Sequence, residues 1–273
     1  GAYLRDEGYS ESFRRHYALP MTAAIWSAAP ARALDLPAAV ALEFFANHGM
    51  LGLRRHRWRT VVGGSATYVR ALLERIGGVL HAGRPVRAIV REGGGVLLAA
   101  GDDPPRRFAG VVVATHAPDA LALLADPSDD ERRLLGAFRT TRNATVLHTD
   151  GRLLPRRNGD HAAWNYRVTR CGEPAPLPTV TYSLNRLQRL PGERQYCVTL
   201  NRDGEIDPAR VLARFDDAHP LVTPESVAAQ AELHLLNGPR RTAFAGAWQG
   251  YGFHEDGLVS GLRAAAALGG RWP

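Results

Sequence analysis

Five glycines (Gly246, Gly250, Gly252, Gly257 and Gly261) punctuate FAGAWQGYGFHEDGLVSGLRAAAALGG near the end of the chain. A residue without Cβ lets the backbone come close to another body. The pattern predicts an apolar strand over 242–246, a loop from Trp248 to Gly257, and a helix over 258–268 closed by Gly269 and Gly270. The start of such a helix offers unpaired N–H groups and a positive dipole end, which suit a phosphate or an electron-rich ring. A turn that merely packs has the same spacing. His254 in the loop and His116 after the run GVVVAT are the side chains positioned to handle a proton, with a backbone-bonded histidine as the plain alternative for each.

Other chemistries find less in the text. His254-Glu255-Asp256 are adjacent on a loop, and adjacent residues seldom converge on one ion; HExxH and facial-triad spacings are absent, so no metal is expected. Ser65, His116 and His254 could in composition serve a hydrolase, but Gly63-Gly64-Ser65 lacks the closing glycine of a nucleophile elbow. The two cysteines, Cys171 and Cys197, form no CxxC pair and read as small core residues. A net charge of +7 suggests nucleic acid, yet all 34 basic residues are arginine and most are scattered. Only Arg54-Arg55-His56-Arg57-Trp58-Arg59 is dense, and it reads as a solvated loop or an anionic-ligand contact. Nucleic acid is not expected as a partner.

The elements that must position these residues follow from periodicity. With 273 residues, 45% of them hydrophobic, the chain has material for one large or two intertwined domains. It holds no run of roughly 20 apolar residues, and its start lacks the apolar centre of a signal peptide, so a cytoplasmic location is expected. Residues 1–57 read as helical, with helical spacing over 38–45. Gly63 and Gly64 precede an amphipathic stretch over 68–76, with Ser65 as its expected N-cap. Strands over 86–91 and 96–100 flank a glycine turn, and GVVVAT at 110–115 reads as a strand buried on both faces. Further strands are expected at 144–148, 179–182 and 195–199, where polar and aromatic residues alternate as on a sheet lining a cavity. Trp164, Asn165, Tyr166, Tyr182 and Asn185 are the residues expected to face a substrate, with a core role for the aromatics as the alternative.

The ending resembles the last FAD-contacting strand, loop and helix of flavin amine oxidases, protoporphyrinogen oxidases and phytoene desaturases. More narrowly, the stretches LPMTAAIWSA, FFANHGML, WRTVVGGSATYV, VVVATHAPDALALLADP, NATVLHTD, WNYR, TYSLNRLQ, VTLN and AGAWQGYGFHEDGLVSG resemble bacterial NAD/FAD-binding, amine-oxidase-like oxidoreductases. The resemblance implies an α/β fold in which a partial FAD-binding part, 58–118 with 238–273, interleaves with a substrate part of mixed sheet and helices, 1–57 with 119–237. Residue by residue it implies that Gly63, Gly64, Val86, Ala114, Thr115, Gly246, Asp256, Gly257 and Leu258 meet the cofactor. Ala247 and Trp248 stand where amine oxidases often carry an acid, and the aromatic pair flanking their amine has no secure counterpart.

The implied activity is FAD-dependent oxidation or reduction of a C–C or C–N bond, with a lipid or fatty-acyl chain as the leading substrate. NAD(P)H as a further cofactor and peripheral membrane contact are both compatible with it. The superfamily opens with a GxGxxG turn for the pyrophosphate; this sequence has none, and Gly93-Gly94-Gly95 lies in a hairpin. The expectation is therefore an amino-terminally truncated enzyme, incomplete and inactive alone. The competing expectation is a cofactor-less remnant acting as a binding or scaffold protein.

Overall fold

The computed structural model describes residues 1–52, 59–157, 160–168 and 177–271. The arginine-dense stretch at 54–58 and Cys171 lie outside them. Ten strands are described: β1 (Val86–Glu92), β2 (Gly95–Ala100), β3 (Arg106–Phe108), β4 (Val111–Val113), β5 (Arg139–His148), β6 (Trp164–Tyr166), β7 (Val180–Ser183), β8 (Cys197–Leu200), β9 (Val211–Leu221) and β10 (Thr242–Phe244). The fold is α/β. It divides into two compact units, residues 1–77 with 141–219 and residues 78–140 with 220–273. The expected division differed: 58–77 falls in the first unit, and 119–140 and 220–237 fall in the second.

In the second unit, β1, β2 and β3 form an antiparallel meander, with Val86 opposite Ala100 and Val96 opposite Phe108. β4 and β10 are a parallel pair, Val113 beside Phe244, and the Ala245 N–H extends the ladder to the Val113 carbonyl at 3.0 Å. β10 is buried on both faces. Phe244 joins a core with Ile89, Val113, Leu134, Leu135, Phe138 and Trp248, while Ala243 and Ala245 pack against Ala264. Burying each large side chain of that core stabilises by roughly 1.5–3 kcal/mol.

The helix His254–Ala267 covers the alanine face of β10, burying Ser260 and Ala264. Residues four apart share a helix face, and these two are small enough for close approach. The helix begins four residues earlier than expected. Asp256, one turn in, accepts the Phe253 N–H at 2.9 Å and caps it. Arg91, buried on β1, holds the start of helix Asp129–Gly136 through Glu131 and also bonds the Asp126 carboxylate. An unpaired charge there would be costly, and the bidentate carboxylate meets that need.

In the first unit, short helices between Ala2 and Asn47 gather around Trp26 and Phe44, whose rings meet edge to face at 5.2 Å. The five-stranded sheet has the order β6-β7-β8-β5-β9. Side chains alternate across a strand, so register assigns the faces. One face carries Val146, His148, Cys197, Thr199, Thr181 and Ser183, all buried. The other carries Leu147, Val198, Tyr182, Trp164 and Tyr166. Helix Ala66–Arg75 buries none of its residues. Ser65 makes no side-chain cap there, a correction to the expectation; Thr67 Oγ1 donates to the Gly64 carbonyl instead.

Candidate functional site

Parallel strands deliver their carboxyl ends to one edge, the usual location of ligands in open α/β sheets. At that edge of β4 and β10 the chain places Ala114 and Thr115 beside Ala245 and Gly246. The loop after Gly246 folds back on itself. Buried Trp248 donates its indole N–H to the Thr115 carbonyl at 3.0 Å and packs edge to face on Phe138 at 4.7 Å. Gln249 Nε2 donates to the Phe244 carbonyl at 2.8 Å. Ser260 Oγ accepts the Gly246 N–H at 2.9 Å and donates to the Gly257 carbonyl at 2.8 Å, tying strand end to helix.

The glycines here have identifiable neighbours. A Cβ on Gly246 would sit 2.2 Å from the Trp248 Nε1, and one on Gly250 would sit 2.2 Å from an Asp256 carboxylate oxygen. Both are close-approach positions whose neighbours are the chain's own side chains. Gly257 faces Ala247 with its nearest atom 3.9 Å from a built Cβ, and nothing lies within 4 Å of one at Gly261. Ala114, Thr115, His254 and Leu258 are exposed among the described residues.

Ala114, Thr115, Gly246, Asp256, Gly257 and Leu258 thus share one locality of the second unit, although 131 residues separate Thr115 from Gly246. Val86 packs against the core beneath it, on the separate meander. Gly63 and Gly64 belong to the first unit. Asp256 is engaged as the cap of its own helix. His116 opens helix Ala117–Leu123 with its carbonyl bonded to the Ala120 N–H, and its side chain caps nothing.

The aromatic face of the five-stranded sheet is the second candidate surface. Trp164 stacks edge to face on Tyr182 across the strands at 5.6 Å, and Tyr166 lies two residues along on the same face. Burial pushes the Tyr166 and Tyr182 phenols above their ordinary value, so both stay protonated donors at neutral pH. Asn165 and Asn185 are committed elsewhere. Asn165 holds the Ala162 and Thr181 backbones, and Asn185 clamps a loop through the Tyr196 N–H and the Arg194 carbonyl.

Besides Cys197, the opposite face holds residues the sequence reading did not single out. His148 Nε2 bonds Thr199 Oγ1 at 2.7 Å, and Thr199 Oγ1 bonds Thr181 Oγ1 at 2.9 Å. His148 Nδ1 accepts the Asp150 N–H at 3.1 Å. Burial holds the imidazole below its ordinary pKa, with Arg202 adding to the effect against Asp150. Asp150 is itself held well below the carboxylate range, first by its hydrogen bonds from the Arg152 side chain, with the Asp207 and Arg152 N–H groups adding to them. Burial pushes the Cys197 thiol up to about 11. These groups are sealed from solvent and serve the sheet. Among the described residues no three His, Cys, Asp or Glu side chains gather to hold a metal ion, and no helix is long and apolar enough to cross a membrane.

A strand-loop-helix assembly at the carboxyl edge of a parallel pair in one unit, and a five-stranded sheet with one aromatic face in the other, make up the α/β chain. The family described as flavin containing amine oxidoreductase matches residues 11–158, more than half of the chain, and the chain belongs to it. Cyclohexylamine oxidase from Brevibacterium oxydans superposes over 98% of this chain and 66% of its own, with a TM-score of 0.63 at 14% identity. A CLA-producing fatty acid isomerase from P. acnes covers 94% of this chain and 63% of its own, with a TM-score of 0.61 at 16% identity. A putrescine oxidase redesigned in its cofactor binding gives 0.58 at 11% identity, over 97% of this chain and 66% of its own. At these identities the likeness is one of fold, and the chain spans slightly under two thirds of those proteins' lengths. No curated protein sequence matches the chain.

Proposed function

We propose that this chain is the larger share of an FAD-dependent oxidoreductase acting on a C–C or C–N bond, with a lipid or fatty-acyl chain as its substrate. The observation that carries the reading is the gathering of Thr115, Gly246 and Gly257 at the open carboxyl edge of β4 and β10. FAD, the cofactor its family implies, fits there. The edge is exposed at Ala114, Thr115 and Leu258, and the helix beginning at His254 starts from the same loop.

In that reading Ala114 and Thr115 lie along the cofactor, Gly246 and Gly257 allow its close approach, and the amides leading to Leu258 donate to it. Val86 would meet the adenine. Bound FAD supplies the acceptor or donor of an electron pair. The chain's part is to fix geometry and exclude water. Tyr166 and Tyr182 offer neutral donors on a face they share with Trp164, Leu147 and Val198, which suits a substrate with one polar end. The largely apolar character of that face favours a lipid over a small amine. His254 and His116 remain the candidates for proton handling. No observation adds NAD(P)H to this reading.

One observation favours a cofactor-less binding protein instead: Gly246 and Gly250 are accounted for by Trp248 and Asp256 without any ligand. Hydrogen exchange with millimolar FAD separates the two. The flavin reading expects protection of peptides spanning 113–116 and 246–258, even if binding is weak. Exchange unchanged in both peptides would favour the cofactor-less protein.

A further inference from the structure

The helix Pro224–Glu232 presents Ser226, Ala229, Gln230 and, just beyond it, Leu233 along one stripe, since residues three and four apart share a face. Ser226, Ala229 and Leu233 are buried, and the last two belong to the main core. Gln230 is the one long polar side chain on that stripe. A polar group turned inward must find partners. Its Nε2 donates to the Trp248 carbonyl at 3.1 Å and to the Gly250 carbonyl at 2.8 Å.

Those two carbonyls belong to the glycine loop. The Trp248 indole, Gln249 and Ser260 pin the same loop from its other sides. A stretch with glycines at 246, 250 and 252 would otherwise sample many conformations. Here the stretch between Gly246 and Gly250 is held by side chains, and Gln230 is the one among them that reaches in from a different helix through hydrogen bonds to loop carbonyls among the described residues.

We infer that Gln230 is a positioning residue that sets the shape of the loop before any ligand arrives, making it a preformed wall and not a lid. The functional sense of this rests on the flavin reading of the loop. A preset loop spends no ordering entropy on binding, and it orients the adjoining peptide amides in advance. Nothing in sequence spacing marks Gln230. It stands 16 residues before Gly246 on a different element.

The test is hydrogen exchange of the 273-residue chain without FAD, comparing wild type with Gln230→Leu, Gln230→Glu and Gln230→Lys. Glutamate keeps the size of glutamine but replaces its donors with acceptors; lysine restores a donor. Exchange over 247–253 should rise about tenfold in Gln230→Leu and Gln230→Glu, return toward wild type in Gln230→Lys, and stay unchanged over 179–183 and 197–200. If Gln230 acted only by filling space, Gln230→Glu would match wild type and the inference would be overturned. Repeating the wild-type and Gln230→Glu measurements with millimolar FAD separates the two ideas. A loop loosened by Gln230→Glu, in a chain whose wild type gains no protection from FAD, keeps the inference and removes the flavin reading. Protection by FAD with equal exchange in all variants does the reverse.

Discussion

Helix Ala66–Arg75 follows Gly63 and Gly64, and helix His254–Ala267 follows Gly246, Gly250 and Gly252. In sequence the two stretches look alike: glycines, a polar residue, then an amphipathic helix. In the folded chain they differ in almost every respect. Gly63 and Gly64 adopt φ of +84° and +82°, a left-handed turn that glycine makes at little cost, and nothing lies near the second. Gly246 and Gly250 instead sit against Trp248 and Asp256 and are needed for close approach, while Gly252, at φ +96°, is again a turn glycine. The later helix buries Ser260 and Ala264; the earlier one leaves Tyr68, Val69, Leu72, Leu73 and Ile76 exposed along one face. A ten-residue helix is marginal by itself in water. The same local pattern therefore specifies a turn and a helix, while the neighbours decide whether the pattern becomes part of a core.

Changes inside the packed region should be severe. Gly246→Ala would force the buried Trp248 from its place and should cost about 3 kcal/mol, read from the midpoint of urea unfolding. Leu134→Ala, in the same core, should cost a similar amount through the cavity it leaves, about 3 kcal/mol. A loss below about 1 kcal/mol in both would mean that this unit is looser than its burial implies.

Protonation gives the next largest contrast, because it strikes the two units at different pH. His148 has a folded pKa below its unfolded value near 6.5, so the unfolded chain binds the extra proton first. The resulting stability is full above about pH 6.5 and drains away as pH falls through the folded value. Glu131, in the other unit, is also depressed. Burial acts to raise it, but the Arg91 guanidinium and the Ser128 N–H outweigh burial. Its contribution is present above the ordinary carboxylate pKa near 4.5 and is lost only as pH falls below that. Thermal unfolding followed by exchange should therefore show the first unit weakening near pH 6 and the second holding to near pH 4. Simultaneous weakening would contradict these assignments.

Smaller effects should come from the exposed helix and the open side of the later one. Leu72→Ser should change stability by less than about 0.5 kcal/mol, since the side chain is 58% exposed. Gly261→Ala should raise stability by about 0.5–1 kcal/mol, because the helix gains a better former and an added Cβ meets nothing within 4 Å. A loss of stability in Gly261→Ala, measured by the same urea titration, would show a neighbour against that face.

How much of this was legible beforehand varies with the reach of the forces involved. The hairpin over 86–100 could be read from alternation and a glycine turn. The strands at 144–148, 179–182 and 195–199 were found within a few residues, although β5 extends back to Arg139. β9 was not found. Its Asp216, Asp217 and Pro220 break the apolar alternation that an edge strand does not need. Ser65 failed as a cap because a cap depends on backbone geometry, and Ser65 is already helical. At the candidate site the glycines were visible but their neighbours were not. Trp248 looked like a departure from a pattern, and only the fold reveals it as the piece that occupies the space beside Gly246.

The row of buried hydroxyls beside His148 has a direction. The Asp150 N–H points at Nδ1, so that nitrogen must carry its lone pair and the neutral ring must keep its proton on Nε2. Nε2 then donates to Thr199 Oγ1, which leaves the Thr199 proton to go to Thr181 Oγ1. Three side chains on three strands are thus polarised in one sense, from β5 through β8 to β7, and a single amide at Asp150 sets the sense of all of them. Adding a proton to Nδ1 would not lengthen this relay; it would set two donors facing each other at its head and break the chain where it begins.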